Sequence, residues 1–256
     1  MKLPRLLLIL FLAALLAGCA GSTPRMAEVR EFAAQSPKLN AYNELTERYC
    51  STYPREQPFL SAAADQREKV LDAERQDACR DFLKLQAGVQ AYMQVLGTLA
   101  GDQQYDLNDQ IKEIGTGIKA WPDTGLLDRH VNAYAGLARL VSRAFTRPMQ
   151  ENAVDDLMRD GAQPVQEVLD AMRTLLRLYD KSNDNEQRIV LGMLETEIPF
   201  VDAERNRLLL ALAKSQQQSK TAEYRLFGLR YTLARKNLDA IERSHRALAA
   251  QIPQSK

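Results

Sequence analysis

A run of apolar residues spaced for a single long helix constrains this chain more than any other feature. Leu71, Ala78, Phe82, Leu85, Val89, Tyr92, Leu96 and Leu99 follow in steps of 7, 4, 3, 4, 3, 4 and 3, with Arg75 in the one missed place. Steps alternating between three and four keep side chains on one stripe of an α-helix, whereas a strand needs period two. The spacing predicts a helix over 58–101, with Pro58 in front and Gly101 and Asp102 behind. At about 1.5 Å per residue it would run on the order of 65 Å. A helix cannot bury a stripe of that length by itself, so it must pack lengthwise against others.

The same pattern recurs downstream. Leu127, Val131, Tyr134, Ala138, Val141 and Phe145 mark one further helix, and Val165, Leu169, Met172, Leu176 and Tyr179 another. Turn signals separate the pieces: Pro122 to Gly125, Pro148, Gly161 with Pro164, the polar run 182–185, and Pro199. Shorter helices are expected over 105–120, 149–160 and 186–198. The last stretch, 200–250, reads as one long helix or two, bending at Gln216, Gln217 and Gln218, with Leu226, Leu229 and Leu233 on its core face and Pro253 in a frayed tail. No alternation of β-branched residues competes, and no internal repeat is evident. The expected fold is all-α, an elongated antiparallel helical bundle of long amphipathic helices over 58–252. In front of it, 19–57 is expected to be a small polar tether, then an irregular segment punctuated by Pro37 and Pro54, with a short helix over 27–34.

The first nineteen residues form a second, independent signal. Lys2 and Arg5 precede an apolar run over 6–16, too short to span a bilayer core of about 30 Å comfortably. Leu16, Ala17, Gly18 and Cys19 then follow in the order of a lipobox, and the segment resembles the signal of bacterial lipoprotein precursors. The resemblance implies removal of 1–18 and lipidation of Cys19, which makes the membrane a partner through an N-terminal anchor. Two or three acyl chains at about 0.8 kcal/mol per buried CH₂ would hold firmly. Ala20 stands where lipoproteins retained at the inner membrane commonly carry aspartate, so the resemblance points to the outer membrane, facing the periplasm. With Cys19 lipidated, Cys50 and Cys79 remain. In an oxidising compartment an even pair reads as a disulfide, the alternative being two free thiols.

Candidate chemistry is sparse. There are 34 basic and 33 acidic side chains, a balance that speaks against a nucleic-acid binder. Glu242 and His245 have the Glu-x-x-His spacing of di-iron bundles, but no second pair accompanies them. They are therefore expected on a solvated surface, and His130 as an exposed or capping residue. No nucleophile elbow, zincin motif or phosphate loop is present, so neither a catalytic set nor a metal or other cofactor is expected. Arg139, Arg143 and Arg147 at i, i+4 and i+8 form a cationic edge that would suit an anionic surface, and Arg225, Arg230, Arg235, Lys236, Arg243 and Arg246 make the last helix basic. Trp121, Tyr92, Tyr134, Phe145 and Tyr179 either fill the core or line a cavity between helices. The expected function is that of a structural or protein-interaction bundle with an envelope partner. The alternative is a bundle that binds a small molecule or lipid.

Overall fold

The computed structural model describes residues 24–102, 105, 111–112, 114–146 and 152–252. The signal segment, Cys19, Arg147, Pro148, Pro253 and part of the helix expected over 105–120 lie outside the described residues. Six main helices, among the described residues, pack as an all-α bundle: α1 (Pro24–Ala33), α2 (Asn40–Cys50), α3 (Ala62–Leu99), α4 (Asp128–Thr146), α5 (Ala153–Glu197) and α6 (Arg207–Ala249). A short helical turn at Thr52–Glu56 lies between α2 and α3.

The long stripe of α3 behaves as its spacing requires. Ala78, Phe82, Leu85, Val89, Tyr92 and Leu96 are all buried, while Leu71, at the far end, is exposed. Ser61 caps the helix by accepting from the Ala64 amide, and Gly101 ends it at φ +92°, where a side chain would be strained. α5 is the central element and packs on α2, α3, α4 and α6. The directions are antiparallel. Phe82 meets Tyr179 while Tyr92 reaches Leu157, and along α6 Arg173 pairs with Asp239 while Glu186 receives Tyr224.

Local expectations are corrected in the N-terminal segment and in α5. Within 19–57 the short helix expected over 27–34 is present as α1, but the described remainder, expected to be irregular, is also largely helical, and Val29, Phe32, Leu39, Tyr42 and Leu45 enter the main core. Pro37 and Pro54 sit in first turns, where the missing N–H costs nothing. α5 runs unbroken through Gly161, Pro164 and 182–185. Pro164 removes one helical hydrogen bond, but Val165, Val168, Leu169 and Met172 behind it are completely buried, and their packing outweighs a cost of about 3 kcal/mol. Gly161 serves close approach rather than termination: a Cβ there would lie 2.6 Å from the Tyr92 ring. Of the two readings of the last stretch the single helix holds: α6 runs unbroken through its three glutamines, starting at Arg207.

The N-terminal segment runs along the later part of α6, from its end back to Glu223, in the opposite direction. Glu28 meets Gln251, Gln35 meets Ser244, Lys38 meets Asn237, Glu44 meets Arg230 and Arg48 meets Glu223. Cys50, at the end of α2, is joined to Cys79 on α3 by a disulfide, Cα to Cα 5.9 Å.

Candidate functional site

α6 carries two apolar stripes, and the fold buries the one that sequence reasoning did not choose. Tyr224, Tyr231, Ala234, Leu238, Ile241, His245 and Leu248 face inward, whereas Leu226, Leu229 and Leu233 are 48%, 65% and 53% exposed. The inner stripe wins because its polar tips find partners: Tyr231 donates to the Tyr179 carbonyl and Tyr224 to Glu186. Leu208 and Leu212, five turns earlier on the same side, are also exposed and form a second leucine group, with Ser215, Ser219 and Ala222 between the two.

The charges of α6 divide the same way. Arg230 pairs with Glu44 at 3.1 Å, Arg235 with Asp180 at 2.8 Å, and Arg246 with Glu242. Arg207, Lys214, Arg225, Lys236 and Arg243 are exposed and make no ion pair with any described residue. Their steps of 7, 11, 11 and 7 are close to whole helical turns, so they form one edge beside the leucines. Two of the three acids of α6 lie elsewhere, Glu223 pairing with Arg48 and Lys220 and Glu242 with Arg173 and Arg246. Asp239, exposed and placed between Lys236 and Arg243, borders the edge but is held by Arg173 of α5. An exposed apolar face bordered by five unpaired cations and one paired carboxylate is the result.

Behind that face lies a buried ionic network that fixes α2 and α6 to α5. Glu186, fully buried, accepts from Arg55 at 2.6 and 3.0 Å, Arg48 at 3.4 Å and Tyr224 at 3.1 Å. Arg48 also donates to Asn183 and Glu223, and its guanidinium lies 3.7 Å from the Phe227 ring centre. Nearby Glu56 is buried, with one oxygen lacking a partner. Burial, with Glu68 and Glu186 close by, pushes its carboxyl up to about 7.

The expected surface position of His245 is corrected. It is buried, with Nε2 2.9 Å from the Tyr92 hydroxyl, and burial lowers its pKa to about 4. Glu242 stays at the surface edge, tied to two arginines. The folded state therefore holds His245 neutral while the unfolded chain takes up a proton below about 6.5. Its contribution is complete above that pH and is lost as pH falls toward 4, a change of about 3 kcal/mol. Glu56 acts in the opposite sense, contributing fully below its unfolded value and losing this as pH rises through about 7. Urea unfolding at pH 7 and pH 4 should thus show parent stability dropping by about 3 kcal/mol relative to His245→Leu. An equal pH response in the two proteins would contradict the assignment.

His130 is buried and caps α4, its Nδ1 accepting the Leu127 amide at 3.1 Å. With Glu167 and Asp170 it places three metal-type donors within 4.8 Å. Arg129 fills that position, however, 2.9 Å from Asp170 and 3.0 Å from His130 Nε2, so a cation is already there. Of the predicted cationic edge, Arg139 is exposed and donates to the Ala135 carbonyl. Arg143 shares a shallow depression with Asp156 and Asp160 of α5, and Arg147 lies outside the described residues. Acids thus neighbour the α4 edge.

Tyr92, Tyr134 and Tyr179 fill the core, and Phe145 is 45% exposed. Trp121 instead borders an open cleft of about 530 Å³ with Tyr49, Leu71, Arg75 and Leu178. Its indole donates to Asp81 at 3.0 Å, while Arg75 is held by Glu68 and Asp72. Compared with known proteins, the chain matches no family model, no curated protein and no solved structure.

Proposed function

We infer that this chain is an envelope lipoprotein, held through Cys19 at the outer membrane on its periplasmic side, that works by presenting a rigid helical surface rather than by catalysis. The observation that carries this reading is the open leucine face of α6, a helix tied to α2 and α5 by the ionic network behind it. The lipobox supports the address, and the Cys50–Cys79 disulfide suits an oxidising compartment. No described helix is long and apolar enough to cross a membrane, so an acyl anchor would supply the attachment.

Metabolic labelling with a fatty acid tests it. The parent should incorporate label and fractionate with membranes, while Cys19→Ser should incorporate none and run as the unprocessed precursor. Identical behaviour of the two, with no label in either, would remove the anchor from the account. The Tyr49 and Trp121 cleft supports a second reading, a bundle that binds a small molecule or lipid. Native mass spectrometry of the purified protein would reveal a co-purifying ligand in that case.

A further inference from the structure

We propose that the outer face of α6 docks on an anionic phospholipid bilayer, so that the bundle lies along the membrane instead of standing away from it. This rests on the lipoprotein reading and names the partner of the same face. Charge selects the occupant. Arg207, Lys214, Arg225, Lys236 and Arg243 border the leucines against a single carboxylate, Asp239, which Arg173 already holds, so a second copy of this face would meet mostly its own sign. An anionic surface answers that edge, and exposed leucines flanked by a row of basic residues are the pattern of helices that settle at the headgroup boundary.

Position agrees with charge. Gln251, just beyond α6, donates to Glu28 of α1, so the end of α6 lies beside the start of the described chain. Pro24 follows Cys19 by five residues, a reach of at most about 18 Å. An acylated Cys19 would therefore hold that end of α6 close to headgroups. From there the face extends back through Leu233, Leu229 and Leu226 to Leu212 and Leu208. Arg225, Lys236 and Arg243 stand along the same path, each free to meet a phosphate.

The test uses the acylated protein, purified from membranes and reconstituted into vesicles. An environment-sensitive fluorophore is placed at Leu229→Cys, with Asn132→Cys on α4 as the reference site. Vesicles of phosphatidylethanolamine and phosphatidylglycerol should shift the emission at position 229 to the blue and protect it severalfold from acrylamide quenching. Position 132 should stay aqueous, and vesicles of phosphatidylcholine alone should give a much smaller effect at 229. Arg225→Glu with Lys236→Glu, both on exposed side chains, should return position 229 to water without loss of flotation. Protein that floats with both vesicles while position 229 stays aqueous overturns the docking and leaves the anchor standing. A shift that grows with protein density regardless of lipid charge also overturns it, in favour of a protein occupant. Protein that floats with neither vesicle overturns both readings.

Discussion

Glu186→Ala is expected to lower the unfolding free energy by about 3–5 kcal/mol, measured by urea denaturation at neutral pH. The carboxylate is fully buried and receives Arg48, Arg55 and Tyr224, with Arg48 itself only 7% exposed. Its removal strands buried positive charge that Glu223 and Asn183 only partly answer. Glu186→Gln keeps the volume and one acceptor but no charge, and belongs between the parent and alanine. Replacing Glu186, Arg48 and Arg55 together with Leu, Met and Met should recover most of the loss, because a buried ion pair gains little over well-packed apolar groups. If the triple variant were as unstable as Glu186→Ala, the cost would lie in lost packing rather than unpaired charge.

Loss of the disulfide in Cys50→Ser, Cys79→Ser should cost about 3–4 kcal/mol, the loop-closure entropy restored to the unfolded chain. For a chain of this size that corresponds to a drop in Tm of about 10 °C. Adding dithiothreitol to the parent should reproduce the shift, and the double variant should no longer respond to it. The effect centres on the junction of α2 with α3, since the bond joins the end of one to the middle of the other. A parent whose Tm is unmoved by the reductant would mean that the bond contributes no stability.

The sequence shows its helices more plainly than their faces. The α3 positions from Ala78 to Leu96, and Val165, Leu169, Met172, Leu176 and Tyr179 of α5, are buried as their spacing requires. The reading failed where polar residues occupy core positions. The α5 stripe continues from Tyr179 through Asn183, Glu186, Val190 and Leu194 in steps of 4, 3, 4 and 4, all buried. Asn183 looks like loop composition until Arg48, 135 residues away, is seen to donate to it. A charged residue falling in register with an apolar stripe was the available signal for the ionic network. On α6 the leucines had the stronger hydrophobic claim. Tyrosines and a histidine displaced them because hydrogen-bond partners waited on α3 and α5, which no local pattern records. The unpaired cationic edge was equally invisible, since separating free arginines from paired ones needs the positions of Glu44, Asp180 and Glu242.

The course of the first helices along the last one also sets an order of events in assembly. Glu28 and Gln251 are separated by 223 positions, Gln35 and Ser244 by 209. A nascent chain can pair α3 with α4, and α4 with α5, as each emerges, and its opening segment can settle on α3 as soon as that helix exists. The α6 side of that segment, where Phe32 lies against His245, closes only when the final turns arrive. Truncation by a few turns at the carboxyl end would therefore uncover Phe32 at the amino end while leaving its hold on α3.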